Sequence, residues 1–223
     1  MSFVNNLEKI QLAAEKISDN RYLKAVSKGM VMTIPASITG AMLTLIANMP
    51  FDGYQEFIQS NGLKTLLLLP GIFTSNIMGL IVVYFIAFNL AKSYKIDGMF
   101  PGFLAIVSFL ILTPLATVEQ QVHDTVRPVD FISFDFIGSR GMFVGIIVGL
   151  TVAKLYSWFI KNNITIRMPD SVPSFVEKSF SSIIPFFSIT FLMACISWGF
   201  SFTSYGSAHN LVYSVLQVPI QQI

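Results

Sequence analysis

The chain has 223 residues, of which 53% are apolar and only 12% are charged, and its formal net charge is +2. This charged share is about half of that in a typical soluble domain, so the composition excludes a water-soluble domain and favours an integral membrane protein. The small net charge argues against nucleic-acid binding. The single cysteine, Cys195, excludes an intrachain disulfide and a cysteine-based metal site.

An amphipathic helix is predicted at residues 1–20. Apolar residues recur there at alternating spacings of four and three, which is the pattern of one helix face. They are Phe3, Leu7, Ile10, Ala14 and Ile17. Such a helix can lie in the cytosolic surface of the membrane. Packing of the same face on the chain's own cytosolic loops is the open alternative.

Residues 21–208 are predicted to form an all-α scaffold of about five transmembrane helices. The predicted spans are Gly29–Phe51, Thr65–Ala91, Met99–Val118, Gly141–Ile160 and Ser179–Ala208. Four are free of charge, and at about 1.5 Å per residue each can cross a hydrocarbon core of about 30 Å. The fourth is uncharged only to Ala153 and includes Lys154, whose ammonium can reach the interface if it lies near the span end. A role for Lys154 facing a phosphate or a partner is the alternative.

The distribution of cations predicts the orientation of these spans. Alternate connections carry 11 and 3 of the 14 Lys and Arg residues. The positive-inside rule therefore places the N-terminus in the cytosol and the acidic loop Glu119–Arg140 outside. Residues 209–223 follow the fifth span.

A polar segment, "RMPDSVPSFVEKSF" at residues 167–180, separates the last two spans. Asp170 or Ser171 is expected to cap the following helix, because short polar side chains accept bonds from the first free backbone N–H groups. Pro173 suits the first turn, where its missing N–H costs nothing. The segment therefore predicts a cytosolic entry to the fifth span.

Two stretches of this sequence are similar to sugar-transporting enzyme IIC proteins of the bacterial phosphotransferase system, lactose/cellobiose class. The first resembles a family motif at Met168, Pro169, Asp170, Ser171, Val172, Pro173, Val176, Ser179, Phe180, Ile184 and Pro185. The second resembles the family's first span at Asn20, Arg21, Leu23, Ala25, Gly29, Pro35, Gly40, Asn48, Met49 and Pro50. The resemblance runs along the whole chain, and Pro169, Asp170, Ser171, Pro173 and Pro185 are taken from it as structural motif residues.

This resemblance implies a function. A IIC permease of this class takes up a β-glucoside or galactoside disaccharide, such as cellobiose or lactose, across the bacterial cell membrane. A separate IIB subunit then phosphorylates the sugar, so no catalytic residue and no cofactor are expected in this chain. The family's first five spans form a scaffold and a dimer interface, which implies a homodimer surrounded by membrane lipids.

The resemblance also implies a missing part. The family's sugar site uses a histidine in a Gly-Ile-His-Gly context and a glutamate in an Asn-Glu-Pro context, and neither motif occurs here. The chain therefore resembles the N-terminal half of such a transporter, with residues 209–223 leading toward a C-terminal transport half, and its sugar-binding residues are unknown. A compact substrate-binding subunit of another transporter and an intramembrane enzyme are the alternatives.

Three glycines lie four residues apart on one face of the fourth span: Gly141, Gly145 and Gly149. Such a stripe lets helix backbones approach closely, which predicts a tight helix contact with the same chain or with a second copy. Because the family's first half forms its dimer, we place the stripe near that interface as a hypothesis.

The remaining polar residues carry weak signals. His123 and His209 are expected to be ordinary solvated or interfacial histidines, and no metal site is expected because no His/Cys ligand spacing occurs. Asp130 and Asp135 could imitate an acid/base pair, but a solvated loop is the simpler interpretation.

Overall fold

The computed structural model describes residues 20–122, 125–169 and 171–221, which form a helical bundle with one two-stranded hairpin. The amphipathic helix predicted at residues 1–20 lies, apart from Asn20, outside the described residues. The helices are α1 Arg21–Val31, α2 Ile34–Ala47, α3 Asp52–Ser60, α4 Leu63–Asn76, α5 Met78–Ser93, α6 Met99–Leu112, α7 Phe134–Ile137, α8 Met142–Lys161, α9 Ser174–Ser181, α10 Ile183–Ser201 and α11 Ala208–Gln221. A 3-10 turn, Ser139–Gly141, precedes α8, and the strands are β1 Ala116–Val122 and β2 Thr125–Phe131.

Three apolar helices in the described part of the chain are long enough to cross a membrane. They are Arg21–Ala47, Ser139–Lys161 and Ser174–Ser201, and the bent pair α4–α5 adds a fourth if it counts as one span. The all-α membrane class is therefore confirmed.

The first span begins at Arg21 rather than at the predicted Gly29. The side chain of Asn20 accepts a hydrogen bond from the backbone N–H of Tyr22 (2.9 Å) and so caps the helix. The first helical residue is therefore eight positions before the uncharged segment. The prediction missed this start because it considered only uncharged residues. A helix needs a cap and a continuous backbone ladder, and its first turns can carry cations in the headgroup region.

The second predicted span is two helices. α4 and α5 meet at 49° around Ile77 instead of forming one straight rod. At this break, Gly79 lets α7 approach closely, since a Cβ atom at position 79 would lie 2.7 Å from the carbonyl oxygen of Ile137. The bend thus coincides with a tertiary contact that the apolar pattern does not encode.

The third predicted span is too long. α6 ends at Leu112 because Thr113 adopts an extended backbone (ψ 129°), which is the conformation that a following proline, Pro114, imposes. Its 14 residues make about 21 Å of helix, less than a hydrocarbon core of about 30 Å. Residues 116–118, predicted as helix, belong to β1.

The predicted external loop contains a β-hairpin. β1 and β2 pair antiparallel in a register that sets Ala116 opposite Phe131, and α7 and the 3-10 turn then lead into α8.

The last span also differs from its prediction, because it ends at Ser201. Gly206 then turns the chain with φ 67°, and the Ser207 hydroxyl accepts a bond from the Asn210 N–H (3.2 Å) at the start of α11.

α5 lies at the centre of the bundle, against α1, α6 and α8. Its inward side chains Val83, Ile86, Ala87 and Leu90 have no exposed surface. The predicted glycine stripe on α8 lies against this helix. Cβ atoms at positions 145 and 149 would lie 3.2 Å from the carbonyl oxygen of Gly79 and 3.0 Å from that of Val83.

The third glycine of the stripe has a different neighbour. Gly141, at the end of the 3-10 turn, lies against the carbonyl oxygen of Phe136 in α7 rather than against α5. The face of α8 that carries Gly145 and Gly149 therefore makes the predicted tight helix contact within the same chain. Whether this contact lies near a dimer interface stays a prediction.

Glycine-mediated packing of α8 on α5 leads to a first prediction. Gly149→Leu should destabilise the bundle, because a Cβ atom there would already lie 3.0 Å from the Val83 carbonyl oxygen, so the leucine side chain must push α8 away from α5. Overpacking of this kind costs about 1–3 kcal/mol. Gly199→Leu in α10 is the matched control, since nothing lies within 4 Å of a Cβ atom there. Thermal unfolding of the detergent-solubilised variants should show a lower Tm for Gly149→Leu alone. Equal melting temperatures for the two variants would contradict this packing.

Candidate functional site

The candidate site lies at the end of the bundle where α1 begins and α5 and α8 end, here called the basic end. α5 and α8 stop in the same way. Lys95 and Asn163 follow them with φ of 63° and 56°, and the next N–H groups, of Ile96 and Ile164, donate back into the helix over 3.1 Å and 3.0 Å. This capping motif turns the chain sharply at the end of each helix and brings the two following loops together.

The polar segment 167–180 forms one of these loops and the helix α9. A turn is closed by a 3.0 Å bond from the Val172 N–H to the Pro169 carbonyl, and α9 then begins at Ser174 with Pro173 at its N-cap position. Ser171 does not cap α9, in contrast to the prediction, because it lies too far before the first free N–H groups. Asp170, the other predicted cap, lies outside the described residues.

Pro185, the last motif residue, is buried near the start of α10. Proline lacks the N–H that would continue the backbone ladder to the preceding turn. This explains why the helix is interrupted at Ser182, between α9 and α10, while the two still form one long rod.

α9 is held on the bundle by two polar contacts. The Lys178 ammonium lies 2.9 Å from an Asp97 carboxylate oxygen in the α5–α6 loop. The Ser182 hydroxyl donates to the Lys178 carbonyl (2.7 Å), so the Tyr156 hydroxyl of α8 donates in turn to Ser182 over 2.6 Å. The segment that resembles the family motif is thereby tied to both α8 and the α5–α6 loop.

The ion pair also changes the titration of its carboxylate. The Lys178 ammonium, and secondarily the Met99 backbone N–H, lower the pKa of Asp97. The contribution of the ion pair to the free energy of unfolding is present above the ordinary aspartate pKa. It is lost as the pH falls through the lowered pKa of Asp97. Both side chains are about half exposed, so this contribution is at most about 1 kcal/mol.

A cavity of about 330 Å³ lies beside this ion pair. Its polar lining comes from Lys95, Asp97, Asn163, Thr165, Glu177 and Lys178, and Phe100 and Ile160 contribute apolar walls. Charges of both signs and neutral polar groups suit the binding of a polar molecule or peptide. The Ser181 hydroxyl also lines this cavity and donates to the Ile166 carbonyl over 3.1 Å.

Three cations at the basic end approach two tyrosine rings. The hydroxyls of Tyr22 and Tyr94 are 3.2 Å apart. Arg21 and Lys161 lie over the Tyr94 ring at 4.8 Å and 4.3 Å from its centroid, and the Lys154 ammonium lies 6.0 Å from that of Tyr22. These distances are within the range of cation–π attraction. Lys154, the cation inside the fourth predicted span, thus directs its ammonium to the surface end of its helix.

At the opposite end of the bundle, His209 of α11 is fully buried, so the expectation of a solvated or interfacial histidine is wrong. Aromatic rings of Phe109, Phe136 and Tyr213 surround it, with centroids 5.2–6.0 Å away. The Thr113 hydroxyl already donates to the Phe109 carbonyl, so it accepts from the His209 Nε2–H across 3.1 Å.

This environment favours the neutral imidazole. Nδ1 has no hydrogen-bond partner among the described residues, and burial lowers the pKa of His209 to about 4. A proton on Nδ1 would create a buried charge without an acceptor. His209 therefore docks α11 on the bundle rather than exchanging protons near neutral pH.

The other candidate residues do not come together. Asp130 accepts a 2.6 Å bond from Thr117 within the hairpin, while Asp135 lies 4.0 Å from Arg140. His123 lies outside the described residues. No group of three possible metal ligands occurs in the described part of the chain.

Sequence reasoning missed the ion pair, the tyrosine–cation contacts and the burial of His209. The ion pair joins residues 81 positions apart, and no local spacing points to it. A signal for His209 was available, because it follows a Gly-Ser turn and opens a helix whose apolar residues recur at spacings of three and four, which is typical of a docked segment.

Comparisons with known proteins give a consistent result. A family model described as "Phosphotransferase system, EIIC" matches residues 27–221. The chain is 32% identical to the lichenan permease IIC component of Bacillus subtilis over 99% of this chain and 50% of that protein. It is 29% identical to the cellobiose-specific EIIC component of Geobacillus stearothermophilus over 98% of this chain and 50% of that protein.

A solved structure shows the same fold. The crystal structure of the transporter ChbC, the IIC component of an N,N'-diacetylchitobiose-specific phosphotransferase system, matches with a TM-score of 0.86 and 33% identity. The match covers 96% of this chain and 51% of ChbC. The chain spans about half the length of the curated relatives it matches.

The buried imidazole leads to a prediction of pH dependence. The His209 pKa is lowered, so the unfolded state binds more protons below about pH 6.5, and stability should fall as the pH drops from 6.5 toward 4. The full effect is on the order of 3 kcal/mol. His209→Gln keeps a hydrogen-bonding side chain that does not titrate, and it should flatten the profile of Tm against pH relative to the native chain.

Tyr213→Phe serves as the control for this experiment. It removes the 3.2 Å bond from the Tyr213 hydroxyl to the Asp135 carbonyl but leaves the imidazole in place, so it should keep the native slope. Identical slopes for the native chain and His209→Gln would show that His209 is not the titrating group.

Proposed function

Because the chain belongs to the phosphotransferase system EIIC family, we propose that it forms the membrane scaffold of a sugar permease. The observation that carries this proposal is the match to ChbC over nearly the whole chain, at 33% identity and a TM-score of 0.86. The proposed substrate is a β-linked disaccharide such as cellobiose or lactose, since the relatives include a cellobiose-specific and several lactose-specific components.

The proposal assigns the chain a supporting role. Among the described cavities, the one beside Asp97 has a polar lining of mixed charge, and an apolar groove of about 680 Å³ lies beside α10. The chain would hold the moving, sugar-binding part of a permease in the membrane. Phosphorylation would be carried out by a separate IIB subunit, and the scaffold would form a homodimer.

The proposed topology has five membrane segments with the N-terminus in the cytosol. It is supported by the position of the basic end, where α1 begins and where Lys154, Lys161 and Lys178 lie. The hairpin β1–β2 would then face outward. α6 and the bent α4–α5 pair would complete the set beside the three long helices.

Cysteine accessibility tests this topology. In a Cys195→Ser background, Glu119→Cys in β1 should react with a membrane-impermeant maleimide in intact cells. Arg167→Cys, in the loop before α9, should react only after permeabilisation. Both positions are exposed, so burial does not limit either reaction. Labelling of Arg167→Cys in intact cells would reverse the threading.

Transport assays test the assigned role. In cells that lack their own β-glucoside permease, the chain alone should give no uptake of radiolabelled cellobiose. Co-expression with the part of the Bacillus subtilis lichenan permease IIC component that the chain does not match should raise uptake above the level of either part alone. Co-expression with a chain carrying Gly149→Leu is the control, because it should weaken the scaffold without altering the partner segment.

A direct binding measurement separates the alternative function. Titration of the purified chain with cellobiose should show no specific binding. Micromolar binding by the chain alone would instead support a compact substrate-binding subunit, with the cavity beside Asp97 as its first candidate.

A further inference from the structure

We propose that a cleft between α1 and α5 binds a phosphate-bearing anion, and that the anion is the headgroup of an anionic phospholipid. The cleft, here called the basic cleft, encloses about 240 Å³. It is lined by Arg21, Lys24, Ala25, Lys28, Asn89 and Ser93. It is separate from the cavity beside Asp97, and the proposal does not depend on which sugar the family member carries.

The charge of the basic cleft is of one sign. Arg21, Lys24 and Lys28 lie at positions i, i+3 and i+7 of α1, so they share one helix face, and all three are exposed. None of the described lining residues is a carboxylate.

The neutral lining groups are already used. The Asn89 amide nitrogen donates to the Phe85 carbonyl (2.7 Å) and contacts the Met32 sulfur (3.1 Å), while the Ser93 hydroxyl donates to the Leu90 carbonyl (2.7 Å). These bonds fix the wall of the cleft formed by α5. The affinity for a ligand must therefore come from the cations, and a guanidinium with a nearby ammonium is a typical phosphate-binding pair.

The tyrosine pair orients the guanidinium. Arg21 lies 4.8 Å from the centroid of Tyr94, whose hydroxyl contacts that of Tyr22. A guanidinium held against a ring keeps its edge available for a planar, two-point bond to phosphate oxygens. The side chain is therefore partly ordered before any ligand binds, which reduces the entropic cost of binding.

The face of α1 that carries the cations continues as an apolar stripe, which points to a lipid. The stripe includes Val31 at the end of α1 and, two helical turns later, Ile38, Met42 and Leu45 of α2, and these side chains are 53–66% exposed. The whole helix, Arg21–Ala47, is one candidate membrane span. A ligand with an anionic head and an aliphatic tail matches this order of cations and then exposed aliphatic side chains.

The extent of the basic cleft along the axis of α1 is similar to the thickness of a lipid headgroup region. Arg21 and Lys28 are separated by about 10 Å along the helix axis. This is close to the thickness of one headgroup region of a bilayer, which extends about 5–8 Å beyond the hydrocarbon core. Basic pockets between membrane helices are known binding sites for anionic lipid headgroups.

Lipid binding to the purified full chain tests the proposal. Native mass spectrometry from detergent would compare phosphatidylglycerol with phosphatidylcholine. The native chain should prefer phosphatidylglycerol, and the double variant Arg21→Gln/Lys28→Gln should bind it about thirtyfold more weakly. The variant Arg21→Lys/Lys28→Arg keeps both charges and should retain most of the affinity.

Arg167→Gln is the matched control, because Arg167 is an exposed cation at the same end of the bundle but outside the cleft. It should leave the affinity for phosphatidylglycerol unchanged. An equal loss in Arg167→Gln and in the double variant would mean that only the general surface charge attracts the lipid, and it would overturn the proposal. The two single variants, each with an expected loss of about fivefold, replace the double variant if it is not monodisperse.

Soluble anions distinguish the source of the phosphate. Inorganic phosphate and glycerol 3-phosphate carry the same charge without an acyl chain, so they should compete with phosphatidylglycerol only at far higher concentration. If glycerol 3-phosphate binds the basic cleft as tightly as the lipid does, the ligand is a soluble phosphate and the lipid assignment is wrong.

Discussion

The close approach of neighbouring backbones to α5 is the constraint on which the rest of this structure depends. The three long helices packed along α5, which are α1, α6 and α8, each carry a glycine at the contact. Gly29 of α1 faces Ile86, Gly102 of α6 faces the Tyr84 ring, and Gly149 of α8 faces the Val83 carbonyl. A Cβ atom at these positions would come within 2.6–3.0 Å of α5. In a membrane, where lipid competes equally for apolar side chains, such contacts provide the dispersion energy that holds helices together.

This arrangement also decides where the polar groups lie. α1, α5 and α8 pack with little separation, and cations of α1 and α8 meet over two tyrosine rings at the basic end. The α5–α6 loop lies at the centre of that region. Tyr94 contacts Arg21 and Lys161, and three residues later Asp97 contacts Lys178. One short loop, fixed by the left-handed conformation of Lys95, therefore links the start of α1 to the segment before α10.

Much of the architecture could be predicted from the sequence, because it follows from apolar composition and local chemistry. The membrane class, the extent of α8 and the position of the polar segment before α10 all depend on residues close together in the chain. The bend at Ile77 was not predicted from apolar composition, and the contact beside it joins Gly79 to Ile137, which is far away in the chain. The early end of α6 had a local signal in Pro114, which a count of uncharged residues ignores.

The candidate site was less predictable for a related reason. A charge pattern shows which end of a helix is basic, but not which cations face a cleft, a ring or a carboxylate. Lys154 illustrates the difference, because its sequence position alone allows a functional group inside the membrane, whereas its ammonium lies near Tyr22 at the surface end. The same uncertainty applied to His209. Its burial depends on Thr113 and Phe136, which belong to other elements, and only the folded chain brings these residues around the imidazole.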